Sequence, residues 1–250
     1  MLPRVCEPPP QDAKLDAEAY REMDHEEVNK RFVLDLLESG PVGPRVVDLG
    51  CGPALIPIML CETLEAIAEG SAGIEGSADH PHCNPNELQL MGVDSCVEML
   101  ELAQVEIDFA GRLDQIQLEH ADLNDISSLQ SELADTVISN TVLHHLDSPE
   151  NALRLAMKVL RPGGRLFIRD LYRPENGTEV ERLVELHGGA EDHASPATAP
   201  RQLLRQSLHA SLTLAEIRAI VSSLGIDPAS VSMTSDRHWT LDCLRPETVD

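Results

Sequence analysis

The sequence predicts an α/β fold in which a parallel β-sheet carries helices on both of its faces. Short apolar runs, typical of buried strands, alternate along the chain with longer segments whose apolar residues recur at helical spacing. Such alternation produces parallel sheets connected by crossover helices. The composition agrees, because 42% of the 250 residues are hydrophobic and only 2% are aromatic, so we expect an aliphatic core.

Charge and cysteine usage argue against several classes of protein. Nineteen Lys and Arg against 43 Asp and Glu give a net charge of -24. Such a surface repels nucleic-acid backbones and anionic membranes, which argues against bulk binding of either. The six cysteines are scattered without a Cys-x-x-Cys pair, and no apolar run approaches the roughly twenty residues of a membrane span. We therefore expect a reduced, soluble, cytoplasmic protein with no membrane insertion.

The first half of the chain is predicted to be a tail followed by alternating helices and strands. Residues 1–13 are rich in proline and polar side chains, and we expect a flexible tail. Residues 69–89 are rich in Gly, Ser, Pro and Asn, which is typical of a surface insertion. Ser95, three residues before Glu98, forms a capping-box pattern at a helix start. The predicted helices are 15–38, 54–68 and 95–109, and the predicted strands are 45–50, 91–94 and 115–119.

The second half continues the alternation and then changes character. Pro162-Gly-Gly is predicted to be a turn, and residues 188–200 a mobile loop. Thr213 and Glu216 form a second capping box. The predicted strands are 136–139, 165–168, 231–234 and 238–241, and the predicted helices are 149–160, 178–187 and 213–223.

A glycine-rich turn after the first strand carries the strongest functional signal, Val46-Val-Asp-Leu-Gly-Cys-Gly-Pro-Ala54. Glycines let the backbone approach a ligand closely, and ligands of open α/β sheets bind at the carboxyl ends of the strands. The dinucleotide-binding pattern needs a third glycine where this chain has Leu55, so a nicotinamide cofactor is not expected. A carboxylate at Asp48 suits a cation, such as an amino group. A tight turn without a ligand is the alternative.

Polar side chains also follow the next three strands. Asp94 ends the second strand, where a carboxylate can accept hydrogen bonds from both hydroxyls of a ribose. Asp122 follows the third strand and suits an exocyclic amine, and Asn140 ends the fourth. Each charge-assisted hydrogen bond contributes roughly 1.5–3 kcal/mol. Together these residues predict a binding site at one edge of the sheet.

An ordered set of motifs resembles the class I S-adenosylmethionine-dependent methyltransferases, in particular the small-molecule type exemplified by the quinone methyltransferases. The matching segments span about residues 42–174: VVDLGCGPA (46–54), GVDSCVEMLELAQ (92–104), HADL (120–123), DTVISNTVLHHL (135–146) and VLRPGGRLFIRD (159–170). The resemblance implies a Rossmann-like sheet of seven strands with helices on both faces and an antiparallel last strand. It also implies S-adenosylmethionine as the cofactor.

The family pattern assigns a role to each matching position. It puts Asp48 and the loop Gly50-Cys51-Gly52 beside the methionine part of the cofactor, and Asp94 on the ribose. Ser95 and Met99 would flank the adenosine, Asp122 and Leu123 would hold the adenine, and Asn140 would lie under the methionine end. Ala54 replaces the usual third glycine of the loop, and we expect this change to be tolerated. The insertion at 69–89 is a second departure.

The resemblance also implies a domain layout and a catalytic region. We expect a single domain over 14–250, with its core at 42–174 and with the helix 15–38 and the segment 175–225 covering the substrate. Asp24 and His25 on that helix are candidate bases, because a carboxylate can orient an imidazole. A solvated helix face is the alternative for this pair. His145 matches a histidine frequent in the family and is the third candidate.

The acceptor is expected to be a small molecule rather than a nucleic acid. Methyltransferases that grip a flipped base commonly carry an (Asn/Asp)-Pro-Pro-(Tyr/Phe) motif after the fourth strand, where this chain has Asn140-Thr-Val-Leu143. Two alternatives stay open: a non-catalytic S-adenosylmethionine-binding or assembly protein, and an RNA methyltransferase with a local basic groove. A homodimer is also left open. The spacing of Asp79-His-Pro-His-Cys83 lacks the separated ligand pairs of a structural zinc site, so no metal is predicted.

Overall fold

The fold is described from a computed structural model of the chain, over residues 2–8, 26–71, 82–189 and 200–247. Seven strands form one sheet in the order β3-β2-β1-β4-β5-β7-β6. The strands are β1 Arg45–Leu49, β2 Gln89–Asp94, β3 Ile116–His120, β4 Ala134–Asn140, β5 Leu160–Leu171, β6 Val231–Met233 and β7 His238–Leu244. β1 pairs in parallel with β2 and β4, β2 pairs in parallel with β3, and β6 and β7 are antiparallel. The predicted Rossmann-like fold class with an antiparallel last strand is confirmed.

Seven α-helices accompany the strands within the described residues. They are α1 Glu26–Ser39, α2 Leu55–Ala68, α3 Val97–Phe109, α4 Pro149–Val159, α5 Gly177–His187, α6 Pro200–Ala210 and α7 Leu214–Ser223. Short 3-10 helices cover Pro85–Glu87, Leu143–His145 and Pro228–Ser230. None of these helices combines the length and the apolar character that crossing a membrane would require.

Three local predictions were wrong. The N-cap position of helix α3 is Cys96 rather than Ser95, and the Cys96 side chain makes no capping hydrogen bond, while the Asp94 carboxylate accepts from the Cys96 N–H (2.9 Å). Pro162-Gly-Gly is part of β5 instead of a turn before it, since the main chains of Gly163 and Gly164 exchange hydrogen bonds with Arg245. Helix α6 begins at Pro200, inside the predicted loop, where proline suits the first helical turn.

The described residues group into two compact units. The larger unit comprises Asp24–Asn140, Asn151–Ile168 and Asp242–Asp250, and the smaller unit comprises Met1–Met23, Thr141–Glu150 and Arg169–Leu241.

The core of the larger unit is aliphatic, as the composition predicts. Leucine, valine and isoleucine side chains of α1, α2 and the first strands dominate it. Two of the three phenylalanines join them, with the rings of Phe32 and Phe167 in edge-to-face contact at 5.3 Å between centroids. Such a pair contributes about 0.5–1.5 kcal/mol beyond its buried area.

The smaller unit also holds the described part of the predicted tail. The Val5 N–H donates to the carbonyl of His209 (3.0 Å), and the Arg4 guanidinium donates to the carbonyls of Leu146 and Ala210. Residues 2–8 are therefore anchored by one main-chain hydrogen bond and by the Arg4 side chain, contacts that proline content and polarity do not predict. The remainder of the predicted tail, 9–13, lies outside the described residues.

The predicted capping box at helix α7 is present, and it gives a stability test. The Thr213 hydroxyl accepts from the Glu216 N–H, and the Glu216 carboxylate accepts from the Thr213 N–H. We expect Thr213→Ala to lower the free energy of unfolding by about 1 kcal/mol, because one helical N–H loses its partner. Denaturant unfolding measures the change, with Thr213→Ser as the control that keeps the hydroxyl. Equal stability of the alanine and serine variants would contradict the capping role.

Candidate functional site

The turn between β1 and α2 has the geometry of a ligand-binding loop. Gly50 and Gly52 have φ values of 77° and 51°, in the left-handed region that glycine adopts without steric cost. The N–H groups of Gly50 and Cys51 donate to the carbonyl of Val93 (2.7 and 3.0 Å). This pair of hydrogen bonds fastens the turn to the carboxyl end of β2. The turn is therefore held in a fixed position against the carboxyl end of β2.

The surface of this turn is open at Gly52. A Cβ atom placed on Gly52 would meet no heavy atom within 4 Å. At Gly92, on the neighbouring strand, a Cβ would lie 2.9 Å from the Cys51 sulfur, so that glycine is needed for packing instead. Ala54, at the third loop position, takes a left-handed φ of 59° at a cost of about 1 kcal/mol relative to glycine. That the site tolerates alanine at this position stays a prediction.

Asp94 links the turn to the start of α3. Its Oδ2 accepts from the Gly52 N–H and its Oδ1 accepts from the Cys96 N–H, both at 2.9 Å. Each carboxylate oxygen has two lone pairs, so each can accept one further hydrogen bond. A fixed carboxylate with this spare capacity is what binding a pair of neighbouring hydroxyls requires.

Asp48 lies behind the turn and is 2% exposed. Burial, and then the negative charge of Asp94, raise the pKa of Asp48 to about 8. A negative charge on the buried Asp48 is disfavoured beside the half-buried, negatively charged Asp94, and a cation placed near both would reduce that penalty. The site therefore favours a positively charged ligand group.

Cys51 is buried in the same turn. Burial and the charges of Asp48 and Asp94 raise the pKa of its thiol. A thiol in this environment stays protonated at neutral pH, which makes it a packing residue rather than a nucleophile.

The loop after β3 lies beside Asp94. The Ala121 N–H donates to the Asp94 carbonyl (3.1 Å), so residues 121–123 follow the strand end directly. The Asp122 side chain is exposed and accepts from the Asn124 N–H (2.8 Å), whereas Leu123 is buried. The structure thus brings Asp122 and Leu123 to the same edge of the sheet as Asp94.

Three further predicted residues surround this edge. Ser95 is exposed, and Met99 and Asn140 are half-buried. His120, which the sequence reasoning did not select, donates from Nε2 to the Ser95 carbonyl (3.1 Å). Its position at the carboxyl end of β3 could have indicated it, but the predicted strand ended one residue earlier, at Glu119.

Of the three predicted catalytic residues, the structure describes His145. Asp24 and His25 lie outside the described residues. His145 belongs to the smaller unit and is exposed, and its Nδ1–H donates to the Glu7 carboxylate. A catalytic role for each of them stays a prediction.

Comparison with known proteins gives a consistent result. The model of a family described as a methyltransferase domain matches residues 71–168. An uncharacterised 37.1 kDa protein of transposon Tn4556 from Streptomyces fradiae is 31% identical over 198 residues, which are 77% of this chain and 50% of that protein. A ubiquinone biosynthesis O-methyltransferase of Xanthomonas axonopodis pv. citri is 21% identical over 211 residues, covering 82% of this chain and 78% of the relative. The chain therefore spans half the length of the first relative.

The fold has solved counterparts as well. The crystal structure of a SAM-dependent methyltransferase from Aquifex aeolicus superposes with a TM-score of 0.55 at 16% identity. The superposition covers 94% of this chain and 99% of the other. At this identity the likeness concerns the fold alone.

Proposed function

We propose that this chain, whose residues 71–168 match the model of a methyltransferase domain, belongs to the class I, S-adenosylmethionine-dependent type and transfers a methyl group from S-adenosylmethionine to a small-molecule acceptor. One observation carries the proposal. Asp48 and Asp94 stand at the carboxyl ends of neighbouring parallel strands, beside a glycine turn that is open at Gly52. This arrangement suits a ligand with a cationic group and a ribose.

The residues present fit the cofactor. Asp94 keeps one acceptor site on each oxygen, which matches the two hydroxyls of a ribose. The buried Asp48 gains a favourable partner from the positive charge of the methionine part. Asp122 and Leu123 lie on the adjoining loop, where they would hold the adenine. Ser95, Met99 and Asn140 complete the proposed set.

The work of this chain in the reaction is binding and alignment. The cofactor supplies a methyl group that is already activated by the sulfonium. The glycine turn and Asp94 would hold the ribose end in a fixed position, which lets an acceptor atom approach in line. We propose Asp24, His25 and His145 as candidates for accepting the acceptor's proton.

Two features support a small acceptor. The net charge of -24 disfavours a nucleic-acid backbone. The strand end at Asn140 continues as Thr-Val-Leu, without the two prolines that grip a flipped base. We also propose a cytoplasmic location.

Calorimetric titration with S-adenosylmethionine and with adenosylhomocysteine tests the proposal. We expect micromolar binding, and we expect Asp94→Ala to weaken it at least about tenfold, because the ribose hydroxyls lose a charged acceptor. Asp114→Ala is the matched control, since Asp114 is an exposed aspartate of the same unit. Unchanged affinity in Asp94→Ala would overturn the ribose assignment. Binding without methyl transfer to any acceptor in a metabolite screen would favour the non-catalytic alternative.

A further inference from the structure

Two histidines and a glutamate meet in the smaller unit, and one of them, His145, is also among the candidate proton acceptors. We call Glu7, His144 and His145 the histidine cluster. The Nδ1 of His145 lies 2.5 Å from one Glu7 carboxylate oxygen, and the Nε2 of His144 lies 3.9 Å from the other. One ligand atom from each of the three residues lies within 4.8 Å of the others. The cluster joins the N-terminal segment to the 3-10 helix that follows β4.

Side chains behind the cluster hold two of its members in place. The buried Asp170 accepts a hydrogen bond from the Nδ1–H of His144 (2.6 Å), which fixes that imidazole with its Nε2 directed at Glu7. The Ser207 hydroxyl donates to the Glu7 carboxylate (2.6 Å). A carboxylate that orients a histidine by its second nitrogen is the usual arrangement behind metal-binding histidines.

We propose that Glu7, His144 and His145 bind one divalent transition-metal ion of the zinc type. Two imidazole nitrogens and one carboxylate are a ligand set found in zinc sites that keep an open coordination position. The two nitrogens argue against magnesium and calcium, which take oxygen ligands. Bonds of about 2.0–2.2 Å put neighbouring ligand atoms roughly 3.3–3.6 Å apart in a tetrahedral site. To reach that geometry, the Glu7 carboxylate has to move towards His144, from 3.9 Å, and away from His145, from 2.5 Å.

The charges around the cluster suit a cation. Glu7 contributes one carboxylate to the cluster, with one oxygen on each histidine's side. Asp170 supplies a second negative charge behind His144. Arg4 is the nearby positive group, and its guanidinium is engaged by the carbonyls of His144, Leu146 and Ala210. Two acids against one arginine leave a negative balance.

Titration of the metal-free full-length protein with Co²⁺, followed by displacement with Zn²⁺, tests the proposal. Co²⁺ reports coordination through its visible absorption, and calorimetry gives the stoichiometry. We expect one ion per chain, and we expect Glu7→Gln and His145→Gln each to weaken binding at least about tenfold. Both side chains lie at or near the surface, so both variants should fold, and circular dichroism verifies this.

Two control variants make the result specific. His187→Gln removes the histidine of another histidine–carboxylate pair in this unit, with Asp236 (2.9 Å), and should leave the affinity unchanged. Cys6→Ser removes the exposed thiol next to Glu7 and should also leave it unchanged. Three results would each overturn the proposal. They are loss of binding in Cys6→Ser, a parent protein that does not bind one ion per chain, and an affinity of Glu7→Gln or His145→Gln equal to that of the parent. The readout is metal affinity, so the outcome is independent of methyl transfer.

Discussion

Asp48→Asn is expected to stabilise the ligand-free protein and at the same time to weaken cofactor binding. Asparagine has nearly the same shape as aspartate but carries no charge. Above pH 8 the variant avoids a buried negative charge next to Asp94. Each unit of pKa shift corresponds to about 1.4 kcal/mol, while burying the uncharged but polar amide cancels part of this stabilisation. We therefore expect the free energy of unfolding of the variant to exceed that of the parent by on the order of 2 kcal/mol or more.

The sign of the pH dependence follows from the raised pKa. The pKa of Asp48 is 3.8 as a free group and about 8 in the folded protein. A group with a raised folded pKa contributes stability below its unfolded pKa, and this stability is lost as the pH rises through the folded pKa. The advantage of Asp48→Asn should therefore grow between about pH 4 and pH 8 and stay constant above. Denaturant unfolding across this range measures it.

Cofactor binding should change in the opposite direction. If the positive charge of the ligand faces ionised Asp48, the affinity of the parent should rise about tenfold per pH unit from pH 6 towards 8. About one proton should be released on binding at pH 7, which calorimetry in buffers of different ionisation enthalpy detects. Asp48→Asn should lose this pH dependence and bind at least about tenfold more weakly at pH 8. Asp114→Asn makes the same charge change at an exposed position and serves as control. A pH-independent affinity of the parent would contradict the role of Asp48.

Trp239→Ala is expected to be the most destabilising single change. Trp239 is 0% exposed and is the largest fully buried side chain of the described residues. Its truncation removes the transfer free energy of the indole and leaves a cavity, which together cost about 3–5 kcal/mol. For a chain of this size, the melting temperature should fall by roughly 6–20 °C.

Trp239→Phe separates the contribution of volume from that of the indole N–H. Within the described residues, the Trp239 Nε1 has no hydrogen-bond partner. Phenylalanine keeps an aromatic ring and removes this buried donor, so it should cost clearly less than alanine. Denaturant unfolding of both variants measures the two free energies. A phenylalanine variant as unstable as the alanine variant would indicate that the indole N–H is satisfied and important.

Local residue patterns predict most of the secondary structure and the two aspartates beside the binding loop. Strand β1, helix α2 and the Thr213 capping box lie where apolar spacing and turn residues put them. Helix α6 was missed, because its start at Pro200 adjoins a segment of Gly, Ala, Ser and Pro that is typical of a loop. Asp48 and Asp94 were selected because each ends an apolar strand, a property of sequence alone.

Contacts between distant residues decided the rest. Helix α3 has Cys96 instead of Ser95 at its N-cap position, with the Cys96 N–H bound by Asp94, and Pro162-Gly-Gly is strand because its main chain pairs with Arg245. Glu7 and His145 meet across 138 residues of chain, and no periodicity could indicate that encounter. Strand and helix positions depend on hydrophobic spacing over a few residues, which the order of amino acids contains. The raised pKa of Asp48 depends on burial and on the charge of Asp94, and the grouping of Glu7 with two histidines depends on long-range packing, and both exist only once the chain has folded.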